Sequence, residues 1–188
     1  MLIYLGLALY LGIVLSLLWG RFAFFKMNSG TPFWLALSYD LAVGVQMVST
    51  VYGFIVVTDV TKLPLYICLV LYAFSLVLFW WSIVTAKSLD FAFSTSVGKI
   101  VTTGPFGVFR HPFYVSYILA WLGSSLLFGW PWLWLSLAYL TGFYVMSAKR
   151  EEAVILQSEQ SEQYKLYQQQ VGMFLPRILK WKQSNLKH

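Results

Sequence analysis

The chain has 188 residues, of which 59% are hydrophobic, 19% aromatic and only 11% charged. An average soluble domain carries about 25% charged residues. Charge this scarce cannot coat a water-soluble surface, so the composition excludes an ordinary soluble domain and points to a single integral membrane domain. The net charge of +6 then reads as basic loops facing anionic lipid rather than as a nucleic-acid surface, and no nucleic-acid motif accompanies it.

Residues 2–19 are apolar and long enough to span a bilayer as a helix. They lack a basic leader and a small-residue cleavage site, so the run is expected to be retained as a transmembrane helix. Arg21 and Lys26 follow, and Asn28-Ser29-Gly30-Thr31-Pro32 predicts a turn. A second span is expected over about 33–57 and carries Asp40, a carboxylate within an apolar segment. After the short polar link 58–62, Pro64 suits the first turn of a third span over about 63–84, which ends near the aromatic pair Trp80-Trp81. The single cysteine, Cys68, excludes an internal disulfide and a cysteine-based metal cluster.

Residues 85–113 break this pattern with Lys87, Asp90, Lys99, Arg110 and His111, yet keep enough aliphatic and aromatic side chains to predict a packed segment. The apolar pattern resumes over 113–128, a run of about 24 Å at the helical rise of 1.5 Å per residue. Gly129-Trp130-Pro131-Trp132 reverses the chain into a fifth helix over about 132–148, so spans four and five are predicted as a short helical hairpin. Beyond it, Ala153, Leu156, Gln160, Tyr164, Tyr167 and Val171 recur at three- and four-residue spacing, predicting one amphipathic helix, its face interrupted by the polar Gln160, ending near Gly172. The expected fold is therefore all-α: a polytopic membrane protein with about five transmembrane helices and a C-terminal amphipathic cytoplasmic helix. Residues 1–84 would form three N-terminal spans and residues 85–178 a second functional region. With five spans, 12 of the 13 basic residues fall on one side and only Lys62 on the other. The N-terminus is therefore expected outside, with residues 85–113 and the tail in the cytoplasm.

Residues 102–114, Thr-Thr-Gly-Pro-Phe-Gly-Val-Phe-Arg-His-Pro-Phe-Tyr, concentrate Gly, Pro and ionisable residues at the edge of the membrane. Gly104 permits a left-handed backbone. Pro112 keeps His111 out of the α region and suits the start of the next helix. Arg110, His111 and Tyr114 then stand at a helix N-terminus, where free N–H groups and the dipole favour a polar or anionic ligand group. A lipid-headgroup anchor is the other reading of the same residues. Glu151-Glu152, where the fifth helix leaves the membrane, reads either as a cation- or ribose-binding pair or as a solvated helix surface. Asp40 reads either as a substrate or cofactor contact or as a hydrogen-bonded structural carboxyl. His111 is the only internal histidine, so no metal site is expected.

Gly104-Pro105-Phe106, Arg110-His111-Pro112-Phe113-Tyr114, Glu151-Glu152, Tyr164, Tyr167, Val171 and Phe174-Leu175-Pro176 together resemble the isoprenylcysteine carboxyl methyltransferase family and the related phospholipid methyltransferases. The resemblance covers about residues 85–178. It implies an integral membrane enzyme that uses S-adenosylmethionine. Carried over by position, the cofactor contacts would be Gly98, Lys99, Ile100, Val101, Phe106, His111, Tyr114 and Glu151, or Glu152 in a register shifted by one. Arg110, Glu151 and Asp40 are the candidates for a catalytic role. The family's substrate-handling Arg, one turn before the first Glu, is replaced by Ser147, or by Ala148 in the shifted register, and the spacing from Glu to Tyr is one residue longer. The cofactor half of the pattern is thus kept more closely than the acceptor half. The expected partners are the bilayer and a lipophilic small-molecule or lipid substrate. Two other readings stay open: an NADPH-dependent membrane reductase of the sterol-reductase type, and a non-enzymatic membrane subunit.

Overall fold

Apolar runs bounded by Pro and Gly decide where helices start and stop. The computed structural model describes residues 2–21, 32–57, 59–87 and 100–177. Among the described residues six α-helices occur in this order: α1 Leu2–Trp19, α2 Phe33–Val56, α3 Lys62–Lys87, α4 Pro112–Phe128, α5 Pro131–Leu156 and α6 Ser161–Gln170. A 3-10 turn, Gly104–Gly107, precedes α4. Among the described residues there is no strand, only an isolated parallel bridge between Phe109 and Gly172.

α1, α2 and α3 are each long and apolar enough to cross a membrane, whereas α4 is apolar but shorter. Their outward faces remain hydrophobic: Leu41, Val48 and Ile55 on α2 and Val70 and Val77 on α3 are all exposed. An apolar face that no protein covers demands lipid, so the protein is an integral membrane protein.

Contacts divide the described chain into two units, the first made of residues 1–77 and 116–145, the second of 78–115 and 146–188. In the first, polar side chains tie the buried seams. Tyr72 Oη and Ser124 Oγ lie 2.8 Å apart, Ser75 Oγ donates to the Ser116 carbonyl at 2.8 Å, and Gln46 Nε2 donates to the Leu133 carbonyl at 2.8 Å. Small residues and interhelical hydrogen bonds of this kind hold helices together where lipid removes the hydrophobic drive. A Cβ on Gly123 would sit 2.8 Å from the Tyr72 ring, so the helices approach more closely there than any larger residue permits. Gly129, at φ +66°, ends α4, its N–H returning 2.9 Å to the Ser125 carbonyl.

In the second unit, α4 begins at Pro112, and the His111 carbonyl accepts its first helical bond, from the Val115 N–H at 3.2 Å. α5 continues eight residues past the expected end at 148, because Glu151 and Glu152 are helix formers held by partners described below. The single amphipathic helix expected over 153–171 is instead interrupted. Residues 157–160 form a turn in which Ser158 Oγ bonds the Ile155 carbonyl at 2.7 Å and accepts from the Gln160 N–H at 3.3 Å. A serine that bonds nearby backbone in this way competes with the helix ladder. Ala153 is consequently exposed. Tyr164, Tyr167 and Val171 form a buried cluster with Ile100, against which Ile155 and Leu156 pack.

Candidate functional site

Three short pieces of the second unit build the site: the segment before α4, the end of α5, and α6 with the residues after it. Gly104 opens the 3-10 turn at φ +57°, and a Cβ there would meet Thr85 Oγ1 at 2.9 Å. Only glycine suits both the left-handed backbone and the contact. The Tyr167 hydroxyl donates to the Phe106 carbonyl at 2.6 Å, which ties the turn to α6. The Phe106 ring packs edge-on against Phe113, their centroids 6.3 Å apart. Just beyond, the Arg110 N–H donates to the Gly172 carbonyl at 2.9 Å and the His111 N–H to the Met173 carbonyl at 3.2 Å. This pairing fixes the backbone that presents both side chains.

Adjacent residues on an α-helix point about 100° apart, so Glu151 and Glu152 separate. Glu152 turns inward, its side chain 8% exposed, while Glu151 turns outward at 52%. Glu152 is the hub. Its Oε1 accepts from Arg110 Nε at 2.8 Å and lies 3.0 Å from His111 Nε2. Its Oε2 accepts from Arg110 Nη2 at 3.3 Å and from Gln168 Nε2 at 2.7 Å. Arg110 Nη1 donates to the carbonyls of Val171 at 2.6 Å and Gln168 at 3.4 Å. The guanidinium fork is therefore consumed within the protein.

His111 bridges the two carboxylates, with Nε2 on Glu152 and Nδ1 3.3 Å from Glu151 Oε2. Glu151 Oε1 also accepts a hydrogen bond from the Tyr114 hydroxyl. The Tyr114 ring stacks on the imidazole at 5.7 Å and 16°, and Phe174 meets His111 edge-on at 6.0 Å and Tyr114 at 6.4 Å.

The electrostatics follow from this geometry. Burial disfavours charge on both Glu152 and His111, but the hydrogen bonds between them and their further partners prevail. The Glu152 carboxyl, pushed up by burial, is drawn down further by His111 and Arg110, to about 2. Burial lowers the His111 pKa, yet Glu151 and Glu152 together raise it above its usual value. Imidazolium is the form that donates from both ring nitrogens. In that form two cations face two carboxylates. Tyr164 and Tyr167 are driven above the usual phenol range, mainly by burial and also by the Glu152 charge.

Arg110, His111, Tyr114, Glu151 and Glu152 come together, with Phe106 tied to the same α6. Ile100 and Val101 are buried, Ile100 against Tyr164 and Tyr167. Gly98 and Lys99 lie outside the described residues. Asp40 belongs to the first unit, where its partner is Arg21 at 3.1 Å and its side chain is half exposed. Gln168 and the backbone of Gly172 and Met173 were not foreseen as parts of the cluster. Gln168 stands in a polar run with nothing in its spacing to mark it, whereas Gly172 and Phe174 border the segment that closes the recognised pattern. Among the described residues, no group of His, Cys, Asp and Glu is arranged to hold a metal ion.

Residues 60–160, more than half of the chain, match the phospholipid methyltransferase family. The chain belongs to that family. It is accordingly a membrane methyltransferase by family, and the matched region contains the 3-10 turn, Arg110 to Tyr114 and both glutamates. No curated protein and no solved structure matches the chain.

Proposed function

We propose that the chain transfers a methyl group from S-adenosylmethionine to a lipophilic acceptor in the bilayer. The observation that carries the reading is Glu151, a half-exposed carboxylate held by Tyr114 and His111 inside the family-matched region. The donor set suits the cofactor. Its ammonium group and ribose hydroxyls can donate to a carboxylate, its sulfonium is drawn to one by charge, and the faces of Tyr114 and Phe174 favour a cation or a flat ring. We assign Glu151, His111 and Tyr114 to the ligand side. Glu152 and Arg110, whose polar atoms are already engaged, hold that side in place, and Phe106, Ile100 and Val101 form packed wall. Gly98 and Lys99 keep their place in the proposed cofactor set through the family pattern alone.

When bound, S-adenosylmethionine supplies an already activated methyl group. The chain then has to align donor and acceptor and exclude water, and such alignment supplies much of a barrier reduction. No base is needed for a carboxylate or phenolate acceptor, while an amine has only to be neutral. The family's own acceptor class, a phospholipid, is the first to try. Prenylcysteine is less favoured, because the position one turn before Glu151 is Ser147 and its neighbour Ala148 is fully buried.

The proposed topology keeps five spans, with α4 and the apolar part of α5 as a short hairpin in a single membrane domain. Glu151, Glu152 and α6 then lie in the cytoplasm and the N-terminus outside, as the basic residues dictate. An NADPH-dependent reductase would need clustered Arg for the 2′-phosphate, and the Arg110 fork is already taken by Glu152 and two carbonyls. Calorimetry on purified full-length protein in detergent tests the proposal. S-adenosylhomocysteine binds and NADPH does not, and Glu151→Gln weakens the binding at least about tenfold, the worth of one charge-assisted hydrogen bond. Absence of S-adenosylhomocysteine binding by the unaltered protein would sink it.

A further inference from the structure

We infer that Gln168, on α6, is a positioning residue for the proposed cofactor site, acting through Glu152 and His111 on Glu151. The inference rests on the methyl-donor reading above only for its functional consequence; the geometry stands by itself. Glu152 Oε2 has two donors, Arg110 Nη2 at 3.3 Å and Gln168 Nε2 at 2.7 Å. The shorter bond at Oε2 is the one from Gln168, so its amide, together with Arg110 Nε on Oε1 at 2.8 Å, fixes the rotation of the carboxylate. That rotation places Oε1 where His111 Nε2 meets it at 3.0 Å, and the same ring presents Nδ1 to Glu151 at 3.3 Å. Gln168 is itself fixed from both sides. Its carbonyl accepts from Arg110 Nη1 at 3.4 Å and from Arg177 Nη1 at 3.0 Å. The chain of contacts therefore runs from the C-terminal segment, through a neutral side chain, to the exposed carboxylate.

The charged and titratable groups around Glu152 are Arg110 and His111 before α4, Glu151 on α5, and Tyr164 and Tyr167 on α6. Of these only the Tyr164 hydroxyl is a neutral donor that also bonds Glu152; Tyr167 is committed to the Phe106 carbonyl, and the amide of Gln168 is the donor resolved on Oε2 at 2.7 Å. Gln168→Glu keeps the shape and replaces the donor by an acceptor. Two carboxyls that close share a proton, and one of them titrates at raised pH. At low pH the shared proton restores the bond; at higher pH the pair repels and the carboxylate turns.

The test measures S-adenosylhomocysteine affinity across pH 5.5–8 for the full chain, Gln168→Glu, and Gln169→Glu as a control that adds the same charge to an exposed neighbour. The expected result is a wild-type to Gln168→Glu affinity ratio near one at the acid end, rising to about tenfold or more at the alkaline end, with Gln169→Glu flat. A ratio independent of pH, or one shared by the control, overturns the inference. A second readout needs no ligand: the ring nitrogen shifts of His111, followed by NMR with His188→Gln as background. Gln168→Leu, which removes the donor without adding charge, lets the Glu152 carboxylate turn from the ring and moves the His111 titration downward, and Gln169→Leu leaves it in place. An unmoved titration overturns the inference. If the unaltered protein binds no S-adenosylhomocysteine, the donor reading fails and the NMR result still decides the role of Gln168.

Discussion

Glu151 and Glu152 are neighbours in sequence with opposite consequences when neutralised. Glu152→Gln removes the one carboxylate among the described residues that touches both the Arg110 and the Gln168 side chains, leaving a guanidinium 10% exposed and an imidazole 9% exposed short of a counter-charge. A carboxyl held at about 2 instead of its ordinary 4.5 contributes about 3 kcal/mol, at 1.36 kcal/mol per pKa unit. Breaking a buried pair by removing one partner costs about 3–5 kcal/mol, which agrees. At roughly 2–4 °C per kcal/mol for a chain of this size, thermal unfolding should fall by about 6–12 °C. Glu151→Gln, at a half-exposed position, should cost no more than about 1 kcal/mol and leave the melting temperature nearly unchanged while weakening donor binding at least about tenfold. The assay is a thermal melt of the detergent-purified variants at fixed scan rate, with tryptophan fluorescence as the signal. Equal losses in the two variants, or an unchanged melt for Glu152→Gln, would refute the division between an inner supporting carboxylate and an outer ligand-facing one.

The same cluster predicts a pH profile. Glu152 is depressed, so its contribution is present above about 4.5 and is lost as pH falls toward about 2. His111 is raised, so its contribution is full below its usual 6.5 and is lost as pH rises through its higher folded value. Stability of the second unit should therefore be flat between about 4.5 and 6.5 and decline on both sides, with the alkaline decline absent in His111→Gln. Gly172→Ala should disrupt donor binding from outside the ligand-facing set, because a Cβ there would meet the Leu175 carbonyl and displace the backbone that pairs with Arg110 and His111; calorimetry checks it. Asp40→Asn should leave donor binding intact and change stability by no more than about 1 kcal/mol, as expected for a half-exposed ion pair.

Parts of this arrangement could be read from the sequence because they depend on local chemistry. Pro112 starts α4 at the expected residue, and Gly104 takes the left-handed backbone that a glycine permits. The apolar runs of α1 and α2 end within a residue of their expected limits. Other parts depend on tertiary contacts that no local pattern carries. Sequence places Glu151 and Glu152 side by side but is silent on which one faces inward, since that is set by the rotation of α5 against Arg110 and His111. The donor groups of Arg110 invite an anionic ligand on paper, yet three protein acceptors satisfy them. Gln168 is an unremarkable glutamine among glutamines until α6 is packed. The turn at 157–160 contains neither Gly nor Pro and arises from the Ser158 hydroxyl competing for backbone.

The central claim is methyl transfer to a lipophilic acceptor with Glu151 on the donor. The most direct measurement incubates purified full-length protein with lipid extract and S-adenosylmethionine labelled in its methyl group, and counts label in the organic phase. The account predicts labelled lipid with the unaltered protein and, at a donor concentration below saturation, at least about tenfold less with Glu151→Gln, whose fold is intact by thermal melt. No labelled product from any lipid extract, or equal label from Glu151→Gln, would contradict it.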